Sequence, residues 1–100
     1  MKESEIQKSI LEYLGYVKNI YFFRSGAGAI QTKTGGYFKT GKKGCPDIVV
    51  CKDGCFYGLE VKTETGKQSD AQKQAQKDIE NAFGHYFVVR SVDDVMKLIK

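Results

Sequence analysis

The chain has 100 residues, of which 41% are hydrophobic and 28% charged, and its net charge is +4. This length predicts one domain over residues 1–100, and this composition excludes a disordered chain or a disulfide-rich scaffold. No apolar run approaches the roughly 20 residues that cross a bilayer, and the N-terminus lacks the apolar stretch of a signal peptide. We therefore expect a protein that works inside a cell and has no membrane partner.

The predicted elements alternate between helix and strand along the chain. In chain order they are a helix over 4–17, a strand over 20–24, a glycine-rich segment over 25–46, a hairpin of 47–52 with 55–62, a helix from Ser69 to Gly84, a strand over 86–90 and a helix over 92–99. Ser69 and Gln72 have capping-box spacing, and Gly84 is the expected C-cap. This order predicts an α/β fold with a mixed central sheet.

The basic residues are concentrated in the glycine-rich segment. No acidic residue occurs between Arg24 and Pro46, and five basic residues lie there: Arg24, Lys33, Lys39, Lys42 and Lys43. Such a segment offers a surface for the phosphates of a nucleic acid, and its glycines let the backbone approach a ligand closely. On charge alone, a solvated loop without a partner is an equally good interpretation.

The hairpin of 47–62 has a register that follows from its turn. Asp53-Gly54 is a favoured two-residue turn, so Asp47 is predicted to lie opposite Glu60. The Cβ atoms of the two residues are then about 4.5–5.5 Å apart, on the sheet face that also carries Lys62. Two carboxylates this close repel each other unless a cation lies between them, and Mg²⁺ prefers carboxylate oxygens. A salt-bridge cluster at a sheet edge is the alternative interpretation.

Two helices carry further candidate residues. Gln72 lies on an otherwise apolar stripe, so its amide points towards the end of the 55–62 strand, where a phosphate or a water can be its partner. A purely capping role beside Ser69 explains Gln72 nearly as well. Glu5 borders the buried face of the first helix and can reach a cation shared by the two carboxylates. An acid at a helix start also fits the helix dipole alone.

These residues resemble the motifs of a known nuclease family. The matching pieces are Glu5-Ile6-Gln7, Gly44-Cys45-Pro46-Asp47, Glu60-Val61-Lys62-Thr63, Gly66-Lys67-Gln68-Ser69, Gln72 and the closing YFVVRSVDDV. Together they are similar to the virus-type replication-repair nuclease (VRR-NUC) domain of the PD-(D/E)xK superfamily, in a stand-alone form of the kind seen in phages. The resemblance implies a restriction-endonuclease-like fold, with a mixed central sheet flanked by helices, in a prokaryotic or phage-infected cytoplasm.

The resemblance also implies an activity, a cofactor and roles for single residues. It implies an Mg²⁺- or Mn²⁺-dependent DNA endonuclease, similar to Holliday junction resolvases and selective for branched or nicked DNA. Asp47, Glu60 and the carbonyl of Val61 match the family's metal ligands, Lys62 its catalytic lysine, Glu5 its first-helix acid and Gln72 the glutamine of the following helix. A nuclease fold that binds nucleic acid without cutting it is the alternative.

The expected assembly is a homodimer, because symmetric cleavage of a four-way junction needs two active sites. Aromatic residues exceed what a core this small is expected to bury. The candidates for an interface are Tyr16, Tyr21, Phe22, Phe23, Tyr37 and Phe38. Complete internal packing of these side chains is the alternative.

Overall fold

The computed structural model describes residues 1–25, 29–31, 37–39 and 42–100, with the backbone alone for 29–31 and 37–39. Within these ranges the elements are α1 (Glu3–Leu14), β1 (Ile20–Arg24), β2 (Ala29–Gln31), β3 (Tyr37–Lys39), β4 (Ile48–Lys52), β5 (Cys55–Val61), α2 (Asp70–Asn81), β6 (His85–Val89) and α3 (Val92–Leu98). None of the helices in the described ranges has the length and apolar character needed to cross a membrane. The predicted α/β class and element order are confirmed.

Four strands form the central sheet in the order β1-β4-β5-β6. β1 and β5 run antiparallel to β4, while β6 runs parallel to β5, so the sheet is mixed as predicted. The predicted hairpin register is also confirmed, with Lys52 opposite Cys55 and Ile48 opposite Leu59. Asp53 and Gly54 have φ values of 54° and 78°, the left-handed conformations that a type I′ turn requires. β2 and β3 pair separately as an antiparallel hairpin.

The core lies between one face of the sheet and the helices α1 and α3. Every second residue of β4 and β5 points into this core, as does every third or fourth residue of the helices. The strand period of 2 and the helix period of 3.6 therefore both identify the core residues from the sequence. The buried cluster consists of Ile6, Ile10, Leu14, Ile48, Val50, Leu59, Val61, Val89, Val95 and Ile99. The regular part of α1 ends at Leu14 rather than at residue 17, but turn hydrogen bonds continue to Val17, which still packs on the core.

Helix α2 begins as predicted but ends differently. Both hydrogen bonds of the capping box between Ser69 and Gln72 are present. The helix ends at Asn81, and the left-handed residue after it is Phe83, with a φ of 67°, rather than the expected Gly84. Gly84 instead donates its N–H to the Ile79 carbonyl (2.8 Å), which closes a Schellman motif. The prediction of Gly84 as the left-handed cap was therefore wrong, because the motif requires that conformation one residue earlier.

Candidate active site

Asp47 and Glu60 meet at one end of the β4–β5 pair. Asp47 directly precedes β4, and its Oδ2 accepts a hydrogen bond from the Val61 N–H (2.8 Å). Glu60 lies near the end of β5 and is only 1% exposed. Its Oε2 accepts a hydrogen bond from Gln72 (3.0 Å), whereas no hydrogen-bond donor among the described residues reaches its buried Oε1. The sheet thus presents one half-buried and one buried carboxyl group side by side.

Burial raises the pKa of Glu60 to about 9. Asp47 adds to the increase, both by accepting a hydrogen bond from the neutral carboxyl group and by its negative charge. The Lys62 ammonium acts in the opposite direction, with its Nζ 3.8 Å from the Glu60 Oε2. At neutral pH and without a cation, Glu60 therefore keeps its proton beside the Asp47 carboxylate. A positive charge at this position would replace that proton.

The donor set fits a hard divalent cation. Two adjacent carboxyl groups, one with an unpartnered buried oxygen, supply the ligand type that Mg²⁺ and Mn²⁺ prefer. In the described ranges, no cluster of three or more His, Cys, Asp or Glu side chains could hold a metal. The remaining ligands would have to be backbone carbonyls or waters, which Mg²⁺ readily accepts. The carbonyl of Val61 remains the predicted third ligand.

Lys62 lies beside this carboxyl pair. Its side chain is 11% exposed, and its backbone N–H donates to the Val89 carbonyl (3.0 Å), which continues the parallel pairing of β5 with β6. A charged ammonium is rarely buried this far without a partner. Here the Glu60 carboxyl group is close by, and the Nζ remains available to donate a hydrogen bond to an oxygen of a bound ligand.

Gln72 serves both roles that its position in the sequence allows. Its Oε1 accepts a hydrogen bond from the Ser69 N–H (2.8 Å), which completes the capping box. Its Nε2 donates to the Glu60 Oε2 (3.0 Å). Because one amide makes both contacts, the first turn of α2 fixes the orientation of the buried carboxyl group.

A search of the solved structures found a protein described as a VRR_NUC domain. It superposes with a TM-score of 0.69 and 23% sequence identity over 96% of this chain and 91% of that chain. The chain has the VRR-NUC fold. No protein-family model and no curated protein sequence matches the chain. The shared feature is therefore the arrangement of the mixed sheet and its flanking helices, rather than a high level of sequence identity.

In this VRR-NUC fold, the first turn of α1 carries two exposed acids, Glu3 and Glu5. The charge of Glu3 contributes to the raised pKa of Glu60. Sequence reasoning missed Glu3, although its spacing from Ile6 and Ile10 places it on the buried stripe of the helix. Glu5 as a metal ligand stays a prediction.

The basic residues predicted to contact DNA are only partly described. Arg24 is exposed at the end of β1, where the following Ser25 donates its N–H to the Asp47 carbonyl (2.9 Å). Lys42 and Lys43 are exposed shortly before Asp47 in the chain. The backbone of Lys39 ends β3, and Lys33 lies outside the described residues. Three of the five predicted cations are thus described and exposed, and their contact with DNA stays a prediction.

Proposed function

We propose that this protein is a metal-dependent endonuclease that hydrolyses phosphodiester bonds in DNA, inside a prokaryotic or phage-infected cell. One observation carries the proposal: the buried Glu60 carboxyl group has an unpartnered oxygen and lies beside Asp47. Leaving such an oxygen without a partner costs free energy that a bound cation would recover. The VRR-NUC fold of the chain supports the same activity.

The roles of the residues follow from their contacts. An Mg²⁺ or Mn²⁺ ion held by Asp47 and Glu60 would polarise the phosphoryl group and lower the pKa of the attacking water. Gln72 holds one oxygen of Glu60, and the Val61 N–H holds one oxygen of Asp47, so both carboxyl groups have a fixed orientation. Lys62 donates a hydrogen bond to the attacked phosphate and stabilises the negative charge that develops during hydrolysis.

The proposed substrate is branched or nicked DNA, cut by a homodimer. Exposed aromatic side chains on the edge strand β1 support the dimer, since Tyr21 is 70% and Phe23 45% exposed. Their rings pack edge to face, with centroids 6.0 Å apart. Phe22 packs on the core instead, while the side chains of Tyr37 and Phe38 lie outside what is described. Arg24, Lys42 and Lys43 supply cations for the DNA backbone.

Cleavage of supercoiled plasmid in Mg²⁺ or Mn²⁺ tests the activity. Asp47→Asn and Glu60→Gln keep the shape of each side chain but remove its charge, and both should abolish cutting and reduce Mn²⁺ binding in calorimetry. Asp53→Asn is the matched control, because Asp53 is an exposed acid in the hairpin turn at the opposite end of the strands. A wild-type protein that binds Mn²⁺ and DNA without cutting either strand would favour the non-cleaving alternative.

Substrate selection needs a separate assay. Labelled linear, nicked, flapped, bubble and four-way DNAs of equal length are compared at one salt concentration, because the affinity for DNA depends strongly on salt. Faster cutting of nicked or branched molecules is expected. Equal rates on all five would contradict structure selectivity but leave the endonuclease activity in place.

A further inference from the structure

The side chain of Arg90 forms hydrogen bonds with the backbone of the loop that follows β5. Its Nη1 donates hydrogen bonds to the carbonyl oxygens of Thr63 (2.6 Å), Gly66 (2.8 Å) and Glu64 (3.3 Å). A hydrogen bond from a charged donor is shorter and stronger than one between neutral groups. One cationic nitrogen therefore holds three carbonyls of residues 63–66, which we call the Lys62 loop.

The Lys62 loop packs against the side chain of Lys62. A Cβ atom built on Gly66 would lie 3.4 Å from both the Cβ and the Cδ of Lys62, so the Gly66 backbone lies next to the aliphatic part of the lysine and a side chain there would touch it. The Gly66 N–H also donates to the Thr63 carbonyl (3.2 Å), which closes the turn. Only 11% of the Lys62 side chain is exposed, so few rotamers are open to it while the Lys62 loop stays in this position.

The backbone of Arg90 is itself held by the first turn of α3. Its N–H donates to the Asp94 carboxylate in the first turn of α3 (2.9 Å). The next residue of α3, Val95, is completely buried. Arg90 thus connects a loop beside the active site to a helix that is packed on the opposite face of the sheet.

We infer that Arg90 is a positioning residue for Lys62. It holds the Lys62 loop so that the ammonium group stays beside Glu60 and meets the attacked phosphate. The inference rests on the proposed nuclease activity and adds a residue that acts through another one. A displacement of about 1 Å at a reacting group can lower a rate by roughly 100-fold, so a loosened loop has a measurable effect.

The competing role for an exposed arginine is direct contact with a DNA phosphate, and the test separates the two. Arg90→Met removes the hydrogen-bond donors and the charge, while Arg90→Lys keeps a cationic donor. Lys97→Met is the matched control, since it removes one exposed charge from α3 without touching the loop. Single-turnover cleavage rates and DNA dissociation constants are measured for each variant below its unfolding temperature.

The expected result is a rate for Arg90→Met that is roughly 10- to 100-fold lower at unchanged DNA affinity. Arg90→Lys should be intermediate, added guanidinium ion should restore part of the Arg90→Met rate, and Lys97→Met should match the wild type. Hydrogen exchange at residues 63–66 should become faster in Arg90→Met. If that variant does not fold, Arg90→Gln takes its place, since its neutral amide is too short to reach all three carbonyls.

Two results would overturn the inference. In the first, Arg90→Met cuts at the wild-type rate although exchange in the Lys62 loop is faster, or exchange does not change at all. In the second, affinity falls as much as the rate and the salt dependence of binding becomes weaker, which identifies a phosphate contact. If the wild-type protein itself does not cut DNA, the proposed function fails, while hydrogen exchange still decides whether Arg90 holds the loop.

Discussion

Glu60 illustrates how one buried residue couples the fold to the proposed chemistry. Its backbone belongs to the central strand β5, and its side chain is almost completely buried. Water cannot solvate its charge there, so in the metal-free protein the pKa of Glu60 lies well above that of an exposed carboxyl group, and the proton stays bound at neutral pH. Binding of a cation must displace this proton, and affinity for Mn²⁺ should therefore increase with pH.

The first prediction concerns the stability of the metal-free protein. The pKa of Glu60 is about 9 in the folded state and 4.5 when unperturbed, so between these values the folded state holds a proton that the unfolded chain has released. The free energy of unfolding should therefore fall as the pH rises through this range, by at most about 1.4 kcal/mol per pH unit for one proton. Urea denaturation in EDTA from pH 5 to 9 measures the slope.

Glu60→Gln is the control for that slope. Glutamine has a similar shape but no proton to release, so the pH dependence that Glu60 contributes should disappear. Subtracting the two curves removes the contributions of all other titrating groups. Identical curves for the two proteins would show that Glu60 titrates normally in the folded state.

At the scale of elements, the end of α2 contains local strain. Phe83 has a φ of 67° and is 93% exposed, so its ring gains little from burial while its backbone adopts a conformation unfavourable for bulky residues. Phe83→Gly should increase the free energy of unfolding by about 1 kcal/mol. For a domain of this size, that corresponds to a melting temperature higher by roughly 4–8 °C in calorimetry.

Ala82→Gly is the matched control for Phe83→Gly. Ala82 has a φ of −91°, where glycine relieves no strain and only adds freedom to the unfolded chain. It should lower the melting temperature. If both glycine variants shift the melting temperature in the same direction, the left-handed conformation of Phe83 is not the cause of the strain.

The second element-scale prediction concerns the basic segment before β4. Lys42 and Lys43 are exposed and lie shortly before Asp47 in the chain, so each is expected to pair with a phosphate and release counterions. Replacing both with alanine should reduce the slope of log affinity against log salt by roughly 1.8 on duplex DNA. The same double change at Lys97 and Lys100 should leave the slope unaltered. An unchanged slope in the first variant would mean that both lysines are merely solvated.

For the whole molecule, the two faces of the sheet have different roles. One face is covered by α1 and α3 and forms the core, whereas the other carries Asp47, Glu60 and the exposed aromatic residues of β1. Tyr21 and Phe23 are paired with Cys51 and Val49 of β4, so all four lie on this second face. An apolar patch on an edge strand favours association with a second copy of the chain.

The prediction is a homodimer with a mass twice that of the 11.2 kDa chain in light scattering at micromolar concentration. Tyr21→Glu places a charge in the proposed interface and should yield a monomer. Tyr16 was also an interface candidate from the sequence, but it is 87% exposed and follows α1, which packs on the other face of the sheet, so Tyr16→Glu is the control. A wild-type monomer that still cuts four-way junctions symmetrically would contradict the dimer.

Features that depend on neighbours in the chain could be predicted from the sequence. The Asp53-Gly54 turn sets the hairpin register, and that register brings Asp47 to Glu60. The Ser69-x-x-Gln72 spacing sets the start of α2. These features are predictable because turn dihedral angles and capping hydrogen bonds involve residues only a few positions apart.

Features that join distant segments could not be predicted from the sequence and depend on the packing of the fold. The burial of Glu60, the effect of the Glu3 charge on its pKa and the triple contact of Arg90 all require strands and helices to be packed in place. Arg90 and Thr63 are 27 residues apart, and their contact exists because parallel pairing places the ends of β5 and β6 at the same edge of the sheet. A charge buried by such packing changes its pKa, which is why the properties of the site arise from the fold rather than from its motifs alone.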